Sequence, residues 1–244
     1  MNAPAVPPMA WNQADSQVRH GTLACLARWL DRPGVVSASH VLAPLRRGLD
    51  VSALPQVRVG DATQAVSGTL SNWDVPMTPD GAPLFSHDAA FATVDATGFA
   101  WLSQRMALPS ALRSPDQAGE TVYFWGSTSG VVKRTTIQAL DASVTMRCRF
   151  FLSAASNANF VSVNVPMSGL IQCDAQPPVE PGDSGCLLFD GDGRALGILI
   201  GTDPANVYPY FSPLAPILDQ FGLSLVTAKD VAGATSLVDV IPRS

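Results

Sequence analysis

Short runs of apolar and β-branched residues, each closed off by Gly, Pro, Asn or Asp, recur along almost the whole chain. Helical periodicity is scarce, so the pattern predicts an all-β protein. The runs fall into two sets. The first comprises Thr22–Leu30, Val35–Ser39, Gln56–Gly60, Ala65–Leu70 and Ala89–Val94. The second comprises Thr121–Trp125, Val131–Ala139, Thr145–Leu152, Val161–Val165, Gly185–Phe189, Ala195–Ile200 and Val207–Phe211. A Pro-, Ser- and Ala-rich stretch separates the sets and reads as a crossover. Two such groups suggest two barrels or two sandwiches. Asp190-Gly191-Asp192-Gly193 reads as a hairpin turn, since it lacks the rest of a calcium-loop pattern. The one clear amphipathic helix is Pro213–Phe221, with Leu214, Ile217, Leu218 and Phe221 on one face and Gly222 placed to end it.

This divides the chain into a flexible N-terminal segment (1–18), an N-terminal β unit (19–105), a linker (106–120), a C-terminal β unit (121–226) and a loosely attached tail (227–244). Hydrophobic residues make up 47% and charged residues 14%, the balance of a folded chain rather than a disordered one. The net charge is −5 and no run of Lys or Arg occurs, which leaves nucleic-acid binding without electrostatic support. No apolar stretch is long enough to span a bilayer, so no membrane partner is expected. Met1–Gln17 does not read as a signal peptide. Cys25, Cys148, Cys173 and Cys186 have neither close pairing nor metal-ligand spacing, and read as reduced thiols. The expected location is cytoplasmic, and neither a metal nor a cofactor is expected.

Chemistry centres on Pro181-Gly182-Asp183-Ser184-Gly185, followed by the apolar run Cys186-Leu187-Leu188-Phe189. A nucleophilic serine needs a tight turn that exposes its hydroxyl, with amides aimed at the oxyanion it creates. Flanking glycines permit that turn, and the amides of Gly182 and Ser184 are candidates for the oxyanion hole. An ordinary Pro-Gly-Asp turn is the plain alternative. The hydroxyl also needs a base. The three histidines are His20, His40 and His87. His40 lies between the apolar stretches Val35–Ala38 and Val41–Ala43, at a strand end near a core, and is the leading base. Asp88 opens the apolar run Ala89–Val94 and suits a histidine partner, because a carboxylate at the mouth of a buried strand needs pairing. Asp74 and Asp95 are its rivals, and His87 reads as a surface residue.

These residues resemble the chymotrypsin-like serine peptidases. The order His40, Asp88, Ser184 is that family's order. Ser37-Ala38-Ser39-His40 resembles its approach to the histidine, Asp88-Ala89-Ala90-Phe91 its aspartate and strand, and Gly182-Asp183-Ser184-Gly185 its nucleophile motif. Gly126-Ser127-Thr128-Ser129-Gly130, Ala195-Leu196-Gly197-Ile198 and Tyr210-Phe211-Ser212-Pro213-Leu214 resemble the bacterial branch. The resemblance covers roughly Gly21 to Val226. It implies two antiparallel six-stranded β-barrels with a short C-terminal helix and a cleft between them. It further implies peptide hydrolysis through an acyl-enzyme, with His40, Asp88 and Ser184 as the triad.

The resemblance also implies a cationic partner for Asp183. Animal-type members use a freed N-terminus, and the bacterial branch uses an Arg just before the Gly-Ser/Thr loop. Here Phe124 and Trp125 occupy those places, which leaves Arg134 and Arg147 as substitutes. Cys186 stands where the family has glycine. By count, Pro178, Ile200, Gly201 and Thr202 wall the specificity pocket. No acidic residue sits at its base, so small or medium apolar residues are expected before the cut. The expected partner is a protein or peptide substrate, with a regulatory partner as one means of restraining such an enzyme. The alternatives are a latent or inactive peptidase-fold protein that binds peptides, and an esterase on another fold.

Overall fold

The structure is a computed structural model and describes residues 7–12, 20–43, 56–61, 63–74, 86–153, 156–205 and 207–242. Its strands, in chain order, are β1 (Met9–Asn12), β2 (Gly21–Thr22), β3 (Cys25–Trp29), β4 (Arg32–Ala38), β5 (Gln56–Gly60), β6 (Ala65–Asp74), β7 (Ala89–Val94) and β8 (Ala107–Leu108). They continue with β9 (Thr121–Trp125), β10 (Val132–Ser153), β11 (Ser156–Cys173), β12 (Leu187–Asp190), β13 (Ala195–Thr202), β14 (Pro209–Pro213), β15 (Leu223–Leu225) and β16 (Thr235–Ser236). Three α-helices accompany them among the described residues: α1 (Ser39–Leu42), α2 (Ala96–Ser103) and α3 (Leu214–Phe221).

The all-β expectation holds. The C-terminal strands close a six-stranded barrel in the order β10-β11-β14-β13-β12-β9. The N-terminal strands form a barrel-like sheet in the order β15-β3-β4-β7-β6-β5-β1-β2. This sheet has eight strands because both ends of the chain add to it. Met9–Asn12, within the stretch read as flexible, pairs with β5 and β2. Leu223–Leu225 returns after α3 to pair with β3. The expected strand Thr22–Leu30 is two strands, β2 and β3, with Leu30 in the following turn.

Alternation of side chains explains both interiors. Val122, Phe124, Ile137, Leu188, Leu196, Leu199 and Phe211 fill the closed barrel. Leu26, Val35, Val57, Val59, Ala90, Ala92 and Leu102 fill the N-terminal unit. A third cluster, with Cys25, Val36, Phe91, Phe189, Ile198 and the apolar face of α3, fastens the two units together. Full burial of each large side chain contributes about 1.5–3 kcal/mol, so this seam holds the two units firmly against each other. Helix α3 ends at Gly222 in the left-handed conformation, as expected from the sequence.

Two further features differ from the expectation. Strands β10 and β11 run far past the barrel as one long hairpin, where the sequence suggested separate short strands. The tail is held rather than loose. Its strand β16 pairs in parallel with β8, capping boxes at Thr227/Asp230 and Ser236/Asp239 fix its two 3₁₀ turns, and Leu237 is buried against Trp125 and Phe189. The Asp190–Gly193 stretch is a turn. Asp190 Oδ1 accepts the backbone N–H groups of Asp192 (3.0 Å) and Arg194 (2.9 Å), and Oδ2 accepts Arg194 Nε at 2.7 Å.

Candidate active site

Strand register brings the first two candidates together. β4 and β7 are antiparallel neighbours with Ala38 opposite Ala89, so the residues just past these ends meet. Ser39 N–H donates to Asp88 O at 2.8 Å. His40 follows in the single turn of α1, and its backbone N–H donates to Asp88 Oδ1 at 3.0 Å. Its ring Nδ1 lies 2.6 Å from Asp88 Oδ2. Asp88 therefore grips both the backbone and the ring of His40, which fixes the imidazole's orientation and places the Nδ1 proton toward the carboxylate.

Asp88 is 5% exposed and adopts φ +50°, a conformation uncommon outside glycine. Its N–H donates to Ser86 Oγ at 2.9 Å, which helps hold the strained residue. Burial disfavours the charged imidazolium of His40. The charge of Asp88 and its hydrogen bond together outweigh that effect and raise the His40 pKa above 6.5. His87 is displaced in the opposite direction, lowered chiefly by burial.

Ser184 sits in the tight turn between Pro181 and Cys186. Gly185 N–H donates to Leu199 O at 2.7 Å, tying the turn to β13. Thr22 N–H donates to Ser184 O at 2.7 Å, tying it to β2. Gly185 has φ +88°, and a Cβ there would collide with Ser37 Oγ and Thr22 O. The nucleophile turn thus lies flat against the strand end that leads to His40. Only glycine permits that approach. Ser184 is partly exposed, and its hydroxyl makes no hydrogen bond among the described residues. Catalytic hydrogen bonds often tighten only with substrate bound.

Gly182 has φ +102°, and its carbonyl is drawn inward. Thr22 Oγ1 donates to it at 2.9 Å, and Ser127 N–H in turn donates to Thr22 Oγ1 at 2.8 Å. Between Gly182 and Ser184, the Asp183 side chain is 0% exposed. Its partner is Lys133, not Arg134 or Arg147. Lys133 Nζ lies 3.4 Å from Asp183 Oδ2 and is itself buried, whereas both arginines are exposed. Ser129 N–H donates to Asp183 Oδ1 and Glu180 N–H to Oδ2, each at 3.1 Å. Lys133 Nζ also donates to Pro178 O at 2.8 Å and reaches Glu180 Oε1 at 3.5 Å. A buried carboxylate with a cation and two amides meets the demand for compensation.

Lys133 was legible in principle. On β10, Lys133, Thr135 and Ile137 are buried while Arg134 is exposed, so Lys133 lies on the inward parity of the strand. Ser127 and Ser129 lie in the Gly-Ser/Thr loop that carried the resemblance, but nothing in the sequence pointed to their hydrogen bonds or to Thr22.

The four residues assigned to the specificity wall are spread over two segments. Pro178 is exposed, with its carbonyl on Lys133. Ile200 is buried with Met146, Val165, Met167, Leu170 and Tyr210 under the long hairpin. A Cβ on Gly201 would lie 3.4 Å from Met146 Cε, and Thr202 is half-buried. The hairpin residue Met146 therefore abuts the β13 segment, a contribution the sequence did not signal. All four cysteines are free. Burial pushes Cys25, Cys148 and Cys173 up to about 12, and Cys186 well above its ordinary value, so none is a thiolate at neutral pH. Among the described residues no His, Cys, Asp and Glu cluster could hold a metal. No helix there is long and apolar enough to cross a membrane.

No family model matches the sequence, and no curated protein does. Solved structures do. Thermobifida fusca protease A aligns over 92% of this chain and 99% of its own, with 19% identity and a TM-score of 0.57. Nocardiopsis protease aligns over 92% and 99%, with 18% identity and a TM-score of 0.58. Cellulomonas bogoriensis chymotrypsin aligns over 92% and 98%, with 21% identity and a TM-score of 0.55. From its strand topology and these likenesses, the chain has the chymotrypsin-like double-barrel fold that these bacterial serine proteases share.

Proposed function

We propose that the protein is a serine endopeptidase that acts through an acyl-enzyme. The observation that carries this reading is the two-point grip of Asp88 on His40 beside a Gly-Asp-Ser-Gly turn pressed against the same strand end. Ser184 attacks the scissile carbonyl while His40 Nε2 takes its proton. Asp88 holds the Nδ1 proton and stabilises the imidazolium that forms. The amides of Gly182 and Ser184 receive the oxyanion. His40 then gives the proton to the leaving amine, and water, activated by His40 in turn, releases the acyl group. No cofactor enters the scheme.

The substrate is a protein or peptide with a small or medium apolar residue before the cut. Ile200, Gly201 and Thr202 bring no charge to the wall, and Met146 backs it. The reading of an inactive scaffold drew its support from the missing partner of Asp183, and Lys133 supplies that partner. Incubation with a peptide library is expected to give cleavage after Ala, Val or Leu, and none with Ser184→Ala. Strong cleavage after Lys or Arg would remove the apolar preference. Cleavage that persists in Ser184→Ala would remove the mechanism.

A further inference from the structure

We propose that Ser212, together with Asp74, is a positioning residue of the triad: the two bracket the backbone of His87 and so hold Asp88 aimed at His40; this rests on the peptidase reading. Asp88 stands at φ +50°. A residue with a side chain leaves that region unless its neighbours hold it there. The backbone angles of Asp88 are set by the two rigid peptide groups that flank it, so holding both groups holds the residue. The group that follows is held from the start of α1, because Asp88 O accepts the Ser39 N–H at 2.8 Å. The group that precedes is held at both ends. Its N–H, that of Asp88, donates to Ser86 Oγ at 2.9 Å. Its carbonyl, that of His87, accepts the Ser212 hydroxyl at 2.6 Å. Ser86 and Ser212 are buried, which keeps water from competing for either hydroxyl. One peptide group further back, His87 N–H donates to Asp74 Oδ2 at 3.0 Å.

These holds come from both units. Asp74 ends β6 and Ser86 lies just before β7, in the N-terminal unit. Ser212 lies on β14 of the closed barrel, 125 residues along the chain from His87. Gln220 of α3, the helix into which β14 leads, donates to Asp74 Oδ2 at 3.5 Å. The β14–α3 segment thus reaches both sides of the bracket, and the C-terminal unit sets the aim of a carboxylate carried by the N-terminal one. Without the Ser212 hydroxyl the preceding peptide group can turn. Asp88 then relaxes toward negative φ and its carboxylate swings away from His40 Nδ1. Among the described residues His40 and Cys148 feel the charge of Asp88, and His87 feels that of Asp74. The Cys148 thiol, pushed up to about 12, stays neutral, so His40 is the group that reports the aim of Asp88.

The test is Ser212→Ala in the full chain, read by steady-state kinetics and by an NMR titration of His40, whose signal is identified by its loss in His40→Ala. kcat is expected to fall about tenfold, the worth of one buried hydrogen bond, with KM unchanged. The His40 pKa is expected to fall as well, because the charge and hydrogen bond of Asp88 are what raise it. Asp74→Ala opens the other side of the bracket and should move both readings in the same direction; it decides the matter if Ser212→Ala does not fold. A lower melting temperature with kcat and the His40 pKa unchanged overturns the proposal, because the bond then serves stability alone. A loss confined to KM overturns it too. A wild type that neither cleaves peptides nor takes a fluorophosphonate label overturns the peptidase reading instead, and the His40 pKa, read without turnover, still decides whether Ser212 aims Asp88.

Discussion

Lys133→Met is expected to lower kcat/KM at least about 100-fold while the barrels stay folded. The substitution keeps most of the side chain's volume and removes its charge. Asp183 would then be a fully buried carboxylate held by two backbone N–H groups alone. Removing one partner of a buried pair costs about 3–5 kcal/mol. The least expensive relief is for Asp183 to swing out of its site. Asp183 lies between Gly182 and Ser184, so that movement carries both oxyanion donors with it. Loss of a single such donor costs about 10²–10³ in kcat. The effect should fall on kcat more than on KM, since the β13 part of the specificity wall keeps its place and only Pro178 O loses its donor. The double variant Lys133→Met, Asp183→Asn removes the unpaired charge and should recover thermal stability relative to Lys133→Met. A folded Lys133→Met protein with the wild-type rate would show that the pair has no part in forming the hole.

Asp88→Asn is expected to lower kcat by about 10⁴-fold near neutral pH, the loss found when the same change is made in the family's triad. An amide in that place offers an N–H to Nδ1. The imidazole then carries its proton on Nε2, where the base must be free. The pH profile should move as well. In the wild type the base works when neutral, so activity rises with pH through a His40 pKa that lies above 6.5. Without the carboxylate, both influences that raise this pKa are gone and burial remains, so the residual activity should rise through a value below 6.5. The same linkage acts on stability. A folded-state pKa above the unfolded one means that His40 stabilises the fold fully below about 6.5. That contribution is lost as pH rises through the raised value. An Asp88→Asn enzyme with an unshifted acidic limb would contradict the assignment of Asp88 as the partner of His40.

The parts of the site that were legible in the sequence are those tied to backbone demands. Gly182 and Gly185 flank a serine because the turn needs positive φ and has no room for a side chain. His40 and Asp88 stand at the ends of β4 and β7, where an apolar run stops and a polar residue must find a partner. Other parts were obscured for physical reasons. Lys133 is a long cation inside a barrel, and the compensation that makes this tolerable comes from residues far along the chain, Pro178, Glu180 and Asp183. The β10–β11 hairpin extends past the core, and its exposed Asp141, Thr145 and Arg147 interrupt the apolar pattern. Helix α2 follows the capping residue Asp95, yet it is short and not strongly one-sided. The tail docks through a two-residue strand and two 3₁₀ turns, elements too short to show a period. Among the described tail residues only Leu237 is buried, and its apolar neighbours Val238, Val240 and Ile241 are exposed or half-buried.

The central claim is that Ser184 is an activated nucleophile served by His40. The most direct test is to treat purified wild type, Ser184→Ala and His40→Ala with a fluorophosphonate probe and to map the adduct by mass spectrometry. The structure predicts one adduct on Ser184 in the wild type, and none in either variant. A correctly folded wild type that takes no label, or a label that survives Ser184→Ala, would contradict it.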